Sequence, residues 1–120
     1  MTQRSRAAAA QELQSFKAAF FKALAHPVRI RILERLVRQD HTVQELQDAL
    51  QLPQPVVSQQ LAVLRACNVV VGTKSGATVR YAVRDPLIGD LLDVARRIFN
   101  NHLVGTQDLL KTLQRERRAR

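Results

Sequence analysis

The sequence predicts a mainly α-helical fold with a single small β-hairpin. Of its 120 residues, 46% are hydrophobic but only 4% are aromatic, and glycines and prolines number four each. The core must therefore be built from Leu, Val, Ile and Ala, which suits the packing of helices. Apolar residues recur every three or four positions along most of the chain, whereas residues 69–83 are rich in Val, Thr and Tyr. This length supports one core and one domain.

The first two helices are predicted from apolar spacing and from a proline. Residues 1–6 are polar and basic, and we expect them to be disordered. From Ala7 a long helix begins that is apolar on more than one side, so it needs more than one surface to cover it. His26 precedes Pro27. Because a residue before proline leaves the helical region and proline is tolerated at a first helical position, a second helix starts there.

Residues 42–68 contain two short amphipathic helices separated by a tight break. Thr42, with Glu45 three residues later, fits a capping box and marks the start of the third helix. That helix stops before Pro53, and a fourth opens near Pro55, whose missing amide costs nothing in a first turn. Two short helices joined in this way outline a helix-turn-helix.

Several polar residues are expected to have structural roles only. His26 begins a helix, His41 lies in a loop, and the single cysteine, Cys67, is expected as a packed thiol at the end of the fourth helix. Arg29 falls within the apolar arc of the second helix. Its guanidinium therefore either extends past the helix start or pairs with a carboxylate, for which Glu45 is the candidate. No nucleophile stands beside a base at motif spacing, which excludes an enzyme.

The outward face of the fourth helix is polar and almost uncharged. It carries Gln54, Ser58, Gln59 and Arg65, with Gln60 at its edge. Amides and hydroxyls both donate and accept hydrogen bonds, and glutamine pairs with adenine through two of them. Residues 42–68 have a net charge of −1 although the whole chain has +9. Neutral groups that can read bases, together with positive charge elsewhere in the chain that can bind phosphates, favour double-stranded DNA as the partner. An ordinary solvated surface is the alternative.

The next segment predicts a β-hairpin. Residues 69–75 and 77–83 form two strands with a turn at Gly76. A hairpin directly after a helix-turn-helix is a wing. Lys74 at its tip and Arg80 on the return strand are expected to meet the phosphate backbone, with solubilising charge on a sheet edge as the alternative.

The last part of the chain is again helical. Asp85 and Pro86 fit the cap and first position of a helix, and a break is expected at Gly105. These boundaries predict a winged helix-turn-helix domain with dimerisation helices over residues 7–103. Residues 104–120 are predicted to form a C-terminal helix and a basic tail that stays solvated, with added non-specific affinity for DNA as the alternative.

Net charge and hydropathy bear on partners and location. The 19 Lys and Arg residues against 10 Asp and Glu residues favour a polyanionic partner. No apolar run approaches the roughly 18 residues needed to cross a bilayer, and the N-terminus lacks the apolar region of a secretory signal. We therefore expect a cytoplasmic protein without membrane contact, which agrees with its single cysteine.

The order of these motifs resembles the ArsR/SmtB family, the arsenic-repressor type of winged helix-turn-helix regulators. The likeness covers about residues 16–100 and rests on HPxRxxIL at His26–Leu33, SQxL and AVLR at Ser58–Arg65, and a wing ending in VRYAV. It implies a homodimer joined by its first and last helices, with recognition helices in successive major grooves about 34 Å apart. It also implies a repressor of transcription, tuned by a metal ion, another signal or a co-regulator protein. The alternative is a winged helix that binds DNA non-specifically or binds proteins.

The chain departs from this family at the sensor sites. Thr42 and Gln44 stand where arsenic, cadmium and lead sensors of the family carry cysteines, and the histidine that zinc, nickel and cobalt sensors place after an aspartate such as Asp90 is absent. The resemblance leaves Asp90 or Asp93 of one copy and His102 of the other. Oxygen and imidazole ligands of this kind suit Ni, Co or Zn weakly.

Overall fold

The computed structural model describes residues 2–119, and the side chains among them except those of residues 103, 104 and 119. This part of the chain forms five helices and a three-stranded antiparallel sheet, in the order α1 Gln3–Leu24, α2 Pro27–Leu36, β1 His41–Thr42, α3 Val43–Leu50, α4 Gln54–Ala66, β2 Val70–Ser75, β3 Thr78–Val83 and α5 Leu87–Ala119. The chain divides into two compact units, one ending at Pro86 and one beginning at Leu87. The predicted mainly helical fold with a hairpin is confirmed.

The core of the first unit surrounds the inner side of α4. Helices α2 and α3 both pack on α4, and α4 packs on β2. The buried hydrophobic residues of this unit are Ala23, Leu24, Ile32, Leu33, Leu36, Leu46, Leu50, Val57, Leu61, Leu64, Val69 and Val70. Each Val, Leu or Ile side chain among them contributes about 1.5–3 kcal/mol when it is removed from water. The three inward positions predicted for α4, at 57, 61 and 64, are confirmed, so the opposite side of this helix is free to face solvent.

Local capping sets where the helices begin. His26 has extended backbone, and its Nδ1 accepts from the Val28 N–H at 3.1 Å at the start of α2. Thr42 Oγ1 accepts from the Glu45 N–H at 3.1 Å, while Glu45 Oε1 accepts from the Thr42 N–H at 3.3 Å. This is the predicted capping box. Helix α3 ends at Gln51 in the left-handed region, with φ of 55°, which turns the chain sharply towards α4.

The sheet contains one strand that the sequence analysis placed in a loop. The predicted hairpin is confirmed, and its turn holds Gly76 at φ of +62°, a conformation that favours glycine. Strand β1 pairs with β3 through His41 with Tyr81 and Thr42 with Arg80. His41 is therefore a buried strand residue, only 7% exposed. Two residues are too few to show an alternating pattern, so pairing across forty positions decides this strand.

Both terminal helices are longer than predicted. Helix α1 begins at Gln3 with Thr2 as its cap, so residues 3–6, which were expected to be disordered, are helical. Helix α5 continues through Gly105 as one helix of 33 residues, and the predicted break there is wrong. An interior glycine costs a helix only about 1 kcal/mol relative to alanine, which a long helix tolerates. None of the helices in residues 2–119 is long and apolar enough to cross a membrane.

Arg29 does not form the carboxylate pair that was one of its two predicted positions. Its Nη1 donates to Gln60 Oε1 and its Nη2 donates to the Lys22 carbonyl, each at 3.4 Å, and its Nε is buried without a partner among the described residues. The predicted pair with Glu45 is wrong. Arg29 lies at the start of α2 and connects the last turn of α1 to α4, so it links helices rather than pairing with a carboxylate.

The end of α4 differs from expectation in one residue. Asn68 adopts the left-handed conformation, with φ of 59°, as expected of an asparagine after a helix. Cys67, however, is exposed, and its prediction as a packed thiol is wrong. The helix ends beyond its last buried residue, Leu64, so position 67 falls outside the packed layer.

Candidate nucleic-acid interface

The polar side chains of α4 do not form a single row. Gln54 Nε2 donates to Ser58 Oγ at 2.6 Å, so these two residues, one turn apart, lie on the same flank. Gln60 accepts from Arg29 and lies on the flank that faces α2. Gln59 is exposed and is rotated about 100° from Ser58. Among residues 2–119 no hydrogen bond engages its side chain, so Gln59 presents a free amide at the crest of the helix.

The two cations predicted on the wing lie on opposite faces of the sheet. Across β2 and β3, Lys74 pairs with Val79 and Arg80 pairs with Thr73. Side chains of adjacent residues in a strand alternate between faces, and cross-strand partners share a face. Lys74 is exposed near the tip, and it makes no ion pair within the described part of the chain. Lys74 alone of the two is therefore free to meet a phosphate.

Arg80 is engaged by two acidic residues. Its Nε donates to Asp40 Oδ2 at 3.2 Å, its Nη2 donates to the Asp40 carbonyl at 3.2 Å, and its Nη1 contacts Glu45 Oε1 at 3.0 Å. These contacts raise the pKa of Arg80, the hydrogen bond to Asp40 most of all. Asp40 precedes β1, and Glu45 lies in the first turn of α3. Arg80 thus ties strand β3 of the wing to the beginning of the helix-turn-helix.

Glu45 serves the cap and the ion pair at once. The hydrogen bond from the Thr42 backbone N–H is the main cause that lowers the pKa of Glu45, and the nearby Arg80 charge lowers it further. The carboxylate therefore stays ionised to a lower pH than an ordinary glutamate, and both contacts persist while it is ionised. Sequence spacing alone revealed that Glu45 caps α3 but not that it pairs with Arg80, because only the pairing of β1 with β3 brings these two residues together.

An open groove runs between the flank of α4 and strand β3. It is lined by Ser58, Ala62, Arg65, Ala66 and Tyr81. Arg65 is exposed and Tyr81 is half-buried. The sequence pattern indicated Ser58 and Arg65 from this set but not Tyr81. The tyrosine lay within a strand pattern that explained it as a β-forming residue, and nothing local indicated that it lines a groove with α4.

The candidate metal ligands on α5 are not brought together within one chain. Arg96 Nη2 donates to Asp93 Oδ1, and Arg97 Nη2 lies on Asp93 Oδ2, both at 2.8 Å. The Arg96 hydrogen bond, followed by the Arg97 charge, lowers the pKa of Asp93. His102 lies nine residues further on, about 13.5 Å along the axis and on the opposite side of the helix. The described residues of one chain contain no group of three His, Cys, Asp or Glu side chains placed to hold a metal ion.

The Glu45 contacts predict a loss of stability in acid. A carboxyl whose pKa is lower in the folded chain stabilises it above the unfolded pKa, and this contribution disappears as the pH falls through the folded pKa. Below the ordinary glutamate range near about pH 4.3, we expect the midpoint of thermal unfolding to fall. Glu45→Gln keeps the shape but not the charge, so its acid-induced decrease should be smaller. Identical pH profiles for the two proteins would contradict the role given to Glu45.

Comparisons with known proteins agree with this geometry. Residues 26–71 match the family described as "Bacterial regulatory protein, arsR family". The uncharacterized HTH-type transcriptional regulator Rv0081 of Mycobacterium tuberculosis is 42% identical over 105 residues, which are 87% of this chain and 92% of that protein. The HTH-type transcriptional repressor SmtB of the same organism is 50% identical over 64 residues, which are 53% of this chain and 47% of that protein.

Solved structures give the same result. The crystal structure of Rv0081 from M. tuberculosis superposes with a TM-score of 0.71 at 45% identity, over 78% of this chain and 94% of that one. The transcriptional repressor BigR from Xylella fastidiosa gives a TM-score of 0.65 at 30% identity, over 82% of this chain and 97% of that one. The likeness that the sequence motifs indicated is confirmed. With its helix-turn-helix, wing and near-complete match to a regulator of this type, the chain belongs to the ArsR family of bacterial transcriptional regulators.

Proposed function

We propose that this regulator represses transcription by reading a specific duplex site with α4 while the wing holds the DNA backbone. Its family comprises DNA-binding regulators rather than enzymes, and two of the relatives described above carry the name of repressor. The observation that carries the proposal is Gln59, whose amide is exposed at the crest of α4 and is not held by any other described residue. A free glutamine amide offers a donor and an acceptor, which is what an adenine edge requires.

The other predicted DNA contacts differ in how freely each side chain can leave its intramolecular partner. Gln54 and Ser58 hold each other and are exposed enough to turn towards DNA as a pair. Gln60 must first release Arg29, so we assign it a link between helices before any contact with a base. Lys74 is the phosphate contact of the wing. Arg80, with both its acidic partners in place, holds the wing in position.

A second copy of the chain completes the protein. Helix α1 exposes Leu13, Phe16 and Phe21, and helix α5 exposes Ile98 and Phe99. Contiguous exposed apolar side chains on a helix mark a surface that another molecule covers. A two-fold symmetric pair built on these helices would carry two copies of α4, one for each half of an operator, about 34 Å apart. The repressor would act in the bacterial cytoplasm, where the chromosome lies.

The proposed function predicts sequence-selective binding. In a mobility-shift assay across a salt series, we expect the protein to retard the DNA upstream of its own gene at concentrations about a thousandfold lower than a random duplex of the same length. Affinity for both should fall as salt rises, because each neutralised phosphate releases counterions. Equal affinity for every duplex would instead identify a non-specific basic protein.

Gln59→Ala tests the base contact in the same assay. It should weaken binding to the specific duplex by about 1–3 kcal/mol and leave binding to the random duplex unchanged. Gln44→Ala, an equally exposed glutamine on α3, serves as the matched control and should leave both affinities unchanged. An equal loss on both duplexes would show that Gln59 does not read a base.

The homodimer predicts a charge-sensitive surface on α5. Ile98 is 60% exposed in one chain, and Ile98→Glu would place a carboxylate in the interface from each copy. Since burial of one such side chain is worth about 1.5–3 kcal/mol, we expect the dimer dissociation constant measured by analytical ultracentrifugation to rise at least about a hundredfold. Asn100→Glu, on the other side of the same helix, is the control. Equal dissociation constants for both variants and the parent protein would exclude this surface.

A response to metal ions remains a prediction, and it applies only to the dimer and not to a single chain. Ni, Co or Zn would have to bind between Asp90 or Asp93 of one copy and His102 of the other, and Asp93 would have to release both arginines. Isothermal titration of each ion into the metal-free protein should therefore show weak binding that His102→Ala abolishes. Absence of any binding tighter than millimolar would rule the site out and leave the predicted co-regulator protein as the source of control.

A further inference from the structure

The groove between α4 and β3 is lined by hydrogen-bond donors. Of its five lining residues, Ser58, Arg65 and Tyr81 carry polar side chains, and Ala62 and Ala66 contribute only methyl groups. No carboxylate is among them. A guanidinium is a donor without acceptor capacity, and a serine or tyrosine hydroxyl can donate. The groove thus offers its hydrogens to a ligand rich in acceptor oxygens, and the small alanines allow such a ligand to approach closely.

The three polar groups are available to a ligand. Gln54 Nε2 already donates to Ser58 Oγ, so the serine's own hydrogen is free to point elsewhere. Arg65 forms no ion pair within residues 2–119, and the Tyr81 hydroxyl has no hydrogen-bond partner in that same part of the chain. Arg80, by contrast, is already neutralised by two carboxylates. On the flank of α4 that faces the wing, Arg65 therefore carries a positive charge that no described carboxylate neutralises.

The Tyr81 ring occupies space that is left open because the residue opposite it has no side chain. Gly72 is its cross-strand partner, and a Cβ added at Gly72 would lie 3.1 Å from Tyr81 Cε1 and 3.0 Å from Val79 Cγ1. The ring therefore lies across the glycine, an arrangement in which an aromatic residue covers the backbone of a neighbouring strand. Side chains fixed in this way lose little freedom when they bind. Lys74 projects from the same sheet face and continues the line of donors towards the tip.

We propose that this groove binds one phosphate group of the DNA backbone, with Arg65, Tyr81 and Ser58 as its donors. The inference rests on the proposed function and assigns Tyr81 a contact that its position in the strand pattern had hidden. It also moves Ser58 from base reading to phosphate binding and gives Arg65 a phosphate as its partner. When a helix occupies a major groove about 12 Å wide, its crest meets base edges and its flanks meet the two backbones. Gln59 lies on the crest, whereas the groove lies on the flank beside the wing.

Substitutions at two residues of the groove test its hydroxyl donor and its positive charge separately. Fluorescence anisotropy with the upstream duplex and a random duplex, each across a salt series, is the measurement. Tyr81→Phe removes one hydrogen bond to a charged group, so affinity should fall about tenfold on both duplexes, with the salt dependence unchanged. Arg65→Gln should also weaken both, and the slope of log K against log salt should decrease by about one, because one charge fewer neutralises DNA.

Two further variants test whether the loss of affinity is specific to the groove. Arg38→Gln removes an equally exposed arginine beyond the end of α2 and should leave affinity and slope unchanged. Gly72→Ala should lower the affinity for both duplexes, because its methyl group displaces the Tyr81 ring while every donor remains. Thermal unfolding of each variant confirms that the fold is retained.

The results of these experiments distinguish a failure of the proposed phosphate groove from a failure of the proposed function. If the parent protein binds no duplex, the proposed function fails and the inference fails with it. If the parent protein binds DNA and Tyr81→Phe binds equally well, the function stands and the phosphate groove is wrong. A loss for Arg65→Gln confined to the upstream duplex would make Arg65 a base reader and would equally overturn the assignment.

Discussion

The position of the wing depends on Arg80. One guanidinium joins the loop before β1, the capping carboxylate of α3 and the return strand of the hairpin. A two-stranded hairpin is only marginally stable on its own, so this arginine and the short strand β1 add to the packing of β2 on α4 in holding the wing in place. The same contacts remove Arg80 from the charges available to DNA. A residue that resembles a phosphate contact in the sequence instead holds the strand that carries Tyr81.

Helix α4 has four sides, each with a different environment. Its inner side is buried by Val57, Leu61 and Leu64, and its crest presents Gln59. One flank reaches α2 through Gln60, while the other borders the groove shared with the wing. In the proposed complex, few side chains would read bases, and the positive charge would lie at the edges of the contact. Specificity would then come from the centre of the surface and salt-dependent affinity from its surroundings.

Helix α5 by itself is a long amphipathic helix with apolar side chains exposed along its length. Most of the stability of such helices comes from packing of the apolar face, which explains why a second copy is central to the proposed function. The acidic residues that suggested a metal site are partly accounted for by local ion pairs, since Arg96 and Arg97 hold Asp93. Any sensing by this helix therefore depends on what two chains form together.

The sequence by itself determined the features that arise from neighbouring residues: the caps at His26 and Thr42, the inward positions of α4 and the hairpin at Gly76. Their physical causes act over four residues or fewer, so spacing reveals them. Only the tertiary structure decided the partners of Arg80, the exposed position of Cys67 and the approach of Tyr81 to α4. Strand β1 joins residues forty positions apart, and no local pattern encodes a contact of that range.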